Sequence, residues 1–122
     1  MHEASLAGGI LRLVEDAARR ERFRRVTRLR LEAGQLCGVE TRALRFALEA
    51  IAPGTCLENA AVDILEPPST AWCLPCGATV EIARRGDACP HCAGFHLQPT
   101  GGTELRVIDM QVEDQPGDSP CV

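Results

Sequence analysis

Residues 73–92 read CLPCGATVEIARRGDACPHC. Two C-x2-C pairs, Cys73/Cys76 and Cys89/Cys92, stand twelve residues apart. Each pair makes a tight turn that points two thiolates at one place. Four such sulfurs close a tetrahedral shell of the kind that holds a structural Zn(II). The spacer is shorter than the commonest ribbon spacing but leaves room for a short hairpin. A redox C-x-x-C is the alternative. It belongs on a strand–helix unit with one nucleophilic sulfur, whereas here the pair occurs twice in a turn-rich segment. Iron also suits four thiolates, since the ligand set alone does not name the metal. A closed shell has no open position, so the cluster is not read as catalytic, and no enzyme activity is expected.

The flanks of this stretch decide the fold. Residues 69–100 are rich in Cys, Gly and Pro and poor in large apolar side chains. About thirty residues of that composition do not bury enough surface to fold without a staple. A bound metal supplies that staple, because its binding energy becomes folding energy. Pro67-Pro68 breaks the chain before the segment and Gly101-Gly102 lies after it. The cysteine stretch therefore reads as an insert, a small zinc-ribbon-like domain over residues 67–100.

Outside the insert the periodicity is that of a mixed domain. From Ala4 to about Arg20, Leu6, Ile10, Leu13, Val14 and Ala17 recur at helical spacing. From Arg25 to Ala33 the pattern alternates, with Thr27, Leu29, Leu31 and Ala33 on one face. A second helix is expected from about Glu40 to Ile51, with Leu44, Ala47, Leu48 and Ile51 as its stripe and Pro53-Gly54 as its stop. Strands are expected over Leu57–Glu66 and Glu104–Glu113, the last with mixed phase that implies a bulge or two partly covered faces. The fold class is α/β (α+β): two helices packed on a three-stranded sheet, formed by residues 1–66 and 101–113. Residues 114–122 read as a disordered tail.

The composition excludes several functions. The chain has 122 residues and a net charge of −4, and all 13 basic residues are Arg. Residues 1–31 carry +4 and the remainder −8. The Arg19–Arg30 cluster could make a local basic patch, and a zinc-ribbon module binding protein or nucleic acid is the rival reading it supports. Acidic balance and scarce aromatics argue against nucleic acid. No signal-peptide pattern or transmembrane run is read, so a cytoplasmic protein without membrane insertion is expected. In that compartment thiols stay reduced, which favours metal over disulfides. Cys37 and Cys56 read as small buried hydrophobes. Cys121 reads as a tail thiol. His91 and His96 lie in and just after the second pair, as surface residues or as extra metal ligands.

The chain opens MHE. By itself this is either a tolerant chain end or a chelate. The α-amine of Met1, the ionisable amides, the imidazole of His2 and the carboxylate of Glu3 can close small rings about one ion. Nitrogen-rich square-planar sets suit Ni(II) or Cu(II).

Taken together, "MHE", "LRLEAGQLCGVE", "ALRFALEAIAPGT", the paired cysteines and "GTELRVIDMQVE" resemble the HypA/HybF hydrogenase nickel-incorporation proteins, over residues 1–113. The resemblance implies a nickel metallochaperone with an α/β nickel domain and an inserted zinc domain. It implies delivery of Ni(II) to the large subunit of [NiFe] hydrogenase together with a maturation GTPase, a homodimer being left open. It assigns Met1, His2 and Glu3 to nickel, through the amine, the His2 amide and imidazole, and the Glu3 amide or carboxylate. Glu40 and His96 are further candidates for nickel, and Cys73, Cys76, Cys89 and Cys92 hold Zn(II). Some members carry histidines beside the cysteines that could exchange with thiolates. Gly77-Ala78 and Ala93-Gly94 stand there in this chain, so a plain four-thiolate site is expected.

Overall fold

The computed structural model describes residues 2–113, so Met1 and the tail over 114–122 lie outside the described residues. The elements follow in the order α1 (His2–Glu21), β1 (Arg25–Ala33), α2 (Thr41–Ile51), β2 (Ala61–Leu65), β3 (Ser69–Cys73), β4 (Ala78–Ile82), β5 (Leu97–Gly101) and β6 (Leu105–Glu113). They form two three-stranded sheets, ordered β2-β1-β6 and β4-β3-β5. The chain divides into two compact units. One contains Glu32–Val39 and Ile64–Arg106, and the other contains the remaining described residues.

In the first unit the two helices pack together. The buried stripe of α1 is Glu3, Ala7, Ile10, Val14 and Ala17, a spacing of four and three that keeps one face inward. Leu13 stands outside that stripe and is exposed. An acidic side chain thus occupies the first position of an otherwise apolar stripe. Leu44 and Leu48 are the buried pair of α2, while Ala47 and Ile51 are half-buried and Phe46 is exposed. β1 is the central strand and buries Val26, Leu29, Leu31 and Ala33. Thr27, expected on the core face, is exposed and its hydroxyl donates to the Gln111 carbonyl at 3.1 Å. The inward phase slips between Val26 and Leu29, and Val26 takes the core place.

The outer positions of β1 carry a ladder of ion pairs. Arg28 bonds Asp63 at 2.6 Å, Arg30 bonds Asp109 at 3.0 Å, and Glu32 accepts from Arg106 at 3.3 Å. Partner numbers on β6 fall as those on β1 rise, so these two strands run in opposite directions. β2 begins at Ala61, later than the alternation suggested. Residues 52–60 instead wind through successive turns, with Thr55 N donating to Ala52 O, Glu58 N to Thr55 O and Ala60 N to Leu57 O. Asn59 at φ 64° is incompatible with a continuous strand there. On β6, Leu105, Val107, Ile108 and Met110 are all half-buried and none is fully covered, which is the two-sided partial cover the mixed phase allowed.

The second unit is built on β3. It pairs antiparallel with β4, Cys73 opposite Ala78 and Ser69 opposite Ile82. It also pairs antiparallel with β5, Cys73 opposite Leu97 and Ala71 opposite Pro99. Pro99 is tolerated because β5 is an edge strand. The sequence suggested only a hairpin here; the third strand is added by residues 97–101. The core of this unit is Leu36, Ala71, Cys73, Val80, Ile82 and Cys89, with Leu97 against it. Two of these six are metal-type cysteines, which is the thin core expected of a stapled module.

Leu36 comes from the segment after β1 and is held by a buried knot. Its N–H donates to Gly102 O at 2.9 Å and is 3.1 Å from Ser69 Oγ. That hydroxyl in turn donates to Gly102 O at 3.1 Å, and Ser69 is fully buried. Gly102 sits at φ +74°, and a Cβ there would overlap Ser69 side chain and backbone.

Candidate metal centre

The two C-x2-C turns are built alike. Gly77 N donates to Cys73 O and Ala93 N donates to Cys89 O, both at 2.8 Å. The residue that follows each pair is left-handed, Gly77 at φ 61° and Ala93 at φ 62°. This shared turn carries the chain back and leaves two sulfurs facing the same way. Leu74 N bonds His96 O at 3.0 Å, and Cys89 N bonds Gly94 O at 2.8 Å. Main-chain bonds therefore fix both turns.

All four cysteine sulfurs lie within 4.8 Å of one another. Cys73 Sγ is 3.6 Å from Cys92 Sγ, and Cys76 Sγ is 3.9 Å from Cys89 Sγ. A tetrahedral zinc–thiolate shell with bonds of about 2.3 Å has sulfur–sulfur edges of about 3.8 Å. Those two edges match that size, and the four sulfurs are grouped closely enough to close on one Zn(II). Cys73 and Cys89 are buried, Cys76 and Cys92 exposed. The N–H groups of Cys92 and His91 point at Cys89 Sγ, at 3.5 and 3.4 Å. These bonds, that of Cys92 first, pull the Cys89 thiol down to about 6. Cys76 is pushed up to about 12 by its hydrogen bonds with Cys73 and then Cys92. Thiols crowded this closely resist losing all four protons by themselves. A dication reverses that cost, and it expels protons as it binds.

His91 and His96 are both exposed, and the His96 carbonyl accepts from Leu74 N beside the cluster. Cys37 and Cys56 are half-buried thiols. Burial raises Cys56 first, and the charge of Glu15 adds to it.

The start of α1 is organised differently. His2 is the first residue of the helix, and its side chain is 59% exposed, against 11% for Glu3. His2 Nε2 lies 3.7 Å from Glu3 Oε2. The same Oε2 accepts from the N–H of Glu40 at 3.2 Å. Glu40 is the N-cap of α2, and its own Oε1 accepts from Ala43 N at 3.0 Å. The fold thus brings Glu40 beside Glu3, thirty-seven positions apart in the chain, with the Glu40 carboxylate engaged in capping. Glu3 and Ala4 close one end of an apolar groove along α2, bordered by Ala43, Phe46, Ala47, Ala50 and Ile51.

The Arg19–Arg30 cluster is largely spent on local partners. Arg19 pairs with Asp16, Arg20 approaches Glu21, Arg25 donates to Glu58 O, and Arg28 and Arg30 belong to the ladder. Leu36 and Ser69 were not singled out by sequence reasoning. Their signal was weak: a lone Leu in a turn-like GQLC and a Ser after two prolines. No helix among the described residues is long and apolar enough to cross a membrane.

A family model described as hydrogenase/urease nickel incorporation, metallochaperone, hypA matches residues 1–112. A Cupriavidus necator protein named hydrogenase maturation factor HypA is 72% identical over 114 residues, covering 93% of this chain and 96% of its own. One of the same name from Polaromonas naphthalenivorans is 68% identical, over 94% of this chain and all of its own. The solution structure of the Ni metallochaperone HypA from Helicobacter pylori shares the fold, with a TM-score of 0.66 at 20% identity, over 94% of this chain and 100% of its own. With this match across nearly the whole described length, the chain belongs to the HypA family of hydrogenase/urease nickel-incorporation metallochaperones.

Proposed function

We propose that this protein receives Ni(II) at its N-terminal Met1-His2-Glu3 motif and hands it on to the large subunit of [NiFe] hydrogenase, with a maturation GTPase as partner. Nickel is the cargo. Its donors are the Met1 amine, the His2 amide and imidazole, and a group of Glu3. The observation that carries this reading is the position of His2: an exposed imidazole on the first residue of a helix. First-turn N–H groups have no carbonyl four residues back to bond. Replacing an amide proton by nickel there breaks no helical hydrogen bond. A site at a chain end with few protein bonds can also be dismantled one donor at a time, as transfer requires.

The four cysteines hold Zn(II), which supplies a rigid closed node and no open coordination position. Cys73 and Cys89 also serve as core residues, so keeping the metal and keeping the module folded are one task. Glu40 is weaker as a nickel donor, since its carboxylate caps α2, and His96 stays an exposed candidate on the cysteine unit.

Nickel titration of the untagged protein tests the reading. Ni(II) is expected to bind at about one per chain, with His2→Ala and a version carrying one extra residue before Met1 each weakening it at least tenfold. Zinc content should stay near one in all three. Unchanged nickel affinity in both altered proteins would remove the terminal site.

A further inference from the structure

Aromatic side chains are scarce in this chain, yet most of them are kept out of the core. Phe23 is buried, whereas Phe46, Phe95 and Trp72 are exposed. Trp72 differs from the other two in its place. It lies on β3, the central strand of the second sheet, and is 40% exposed. Ala71 and Cys73 take the core face of that sheet. Side chains alternate along a strand, so Trp72 belongs to the opposite face.

The strand register gives the rest of that face. Trp72 lies opposite Thr79 on β4 and Gln98 on β5, and Thr70 lies opposite Glu81. Thr79, Glu81 and Gln98 are exposed. The Thr70 hydroxyl is 3.1 Å from that of Thr100. Glu81 is two residues on from Thr79 and so is a diagonal neighbour of Trp72. Such positions are about 7–8 Å apart, within reach of aromatic and long side chains. Glu81 is the one charge among these face residues. Among the described residues, its carboxylate has no hydrogen bond or ion pair.

This arrangement suits a cation. The face of an indole attracts a guanidinium or ammonium group, and an adjacent carboxylate adds opposite charge. Threonine hydroxyls and the Gln98 amide surround the ring with neutral hydrogen-bonding groups. A Trp ringed by polar residues is the usual energetic centre of a protein interface. Bases also stack on an indole, but no Arg stands among these face residues to meet phosphates, and Glu81 would repel them.

We propose that the outer face of the second sheet, centred on Trp72, docks a segment of a partner protein that presents an arginine or lysine side chain, the cation resting between the indole and Glu81. The surface stands apart from the terminal nickel reading and survives if that reading fails. It gives the cysteine unit a task beyond holding its metal, which is to grip another protein while cargo moves.

Trp72 is the single Trp of the chain, so its emission reports on the site directly. Full-length, zinc-loaded protein is titrated with a capped Gly-Arg-Gly-Arg-Gly peptide, with its lysine and glutamate versions, and with oligo(dT). Amide NMR shifts locate the contact. The arginine and lysine peptides are expected to change Trp72 emission saturably and to shift the amides of Thr79, Glu81 and Gln98. The glutamate peptide should do neither. Glu81→Gln should weaken the arginine peptide about threefold, and added salt should weaken it further in wild type. Trp72→Leu, followed by the amide shifts, should weaken it by about threefold or more with zinc content unchanged. Unchanged emission, amide shifts confined to other surfaces, or full affinity in Glu81→Gln would each overturn the proposal. Oligo(dT) binding more tightly than the arginine peptide would make the face a nucleic-acid platform instead. Emission that changes with protein concentration alone would make a second copy of this chain the occupant and overturn it too.

Discussion

Gly77 and Gly102 both have left-handed backbones, at φ +61° and +74°, but their surroundings differ. Nothing lies within 4 Å of the place a Cβ would occupy on Gly77, and Ala93 already adopts the matching conformation in the second turn. Gly77→Ala should therefore cost only the backbone term, about 1 kcal/mol. At Gly102 the added carbon would overlap Ser69, whose hydroxyl accepts from Leu36 N. Gly102→Ala adds overpacking of a buried knot to the same backbone term and should cost about 2–4 kcal/mol. Urea unfolding of the zinc-loaded proteins distinguishes the two, and equal losses would contradict the close approach. The turn glycine was legible beside its cysteine pair. The need for Gly102 was not, since Ser69 lies thirty-three positions away.

At the scale of elements, β1 joins two kinds of stabilisation. Its inner residues Leu29 and Leu31 are fully buried, and its outer Arg28 and Arg30 are ion-paired but partly exposed. Exposed pairs contribute little because water and salt screen them. A double-mutant cycle on Arg30 and Asp109 should give a coupling of about 0.2–1 kcal/mol, reduced in high salt. Leu31→Ala should instead cost about 2–5 kcal/mol by opening a cavity. A ladder coupling as large as the leucine loss would show that the ion pairs, not the core, hold the sheet. Alternation predicted β1 to the residue, but it misassigned Thr27 and Val26. Strand bounds follow from local pattern, whereas the inward phase depends on which neighbours cover each face.

At the scale of the whole molecule, the two units depend on different forces. The first has aliphatic stripes from α1, α2 and β1; the second has a six-residue core that includes two cysteines. Removing zinc with a strong chelator should unfold the second unit and leave most helical signal intact, because both helices belong to the first. The single Trp, Trp72 on β3, is the reporter. Its emission should shift on chelation and return on adding Zn(II), while ellipticity at 222 nm changes little. Acid should release zinc as well, since protons compete with the metal for the thiolates and a protonated thiol is a poor ligand. Loss of the helical signal in step with Trp72 would mean that the units fold as one.

By itself the sequence determined the helices, the central strand, the cysteine cluster and the family, because each is written in local spacing. Periods of two and 3.6 and paired C-x2-C turns need no distant partner to be recognised. Only the tertiary structure decided that residues 97–101 complete a second sheet, that Leu36 crosses over to the core beside the cysteines, and that Glu3 meets Glu40. These are contacts between residues tens of positions apart, made to satisfy buried polar groups and to fill a thin core. No local pattern carries them, because the hydrogen-bond partner and the cavity exist only once the chain has folded.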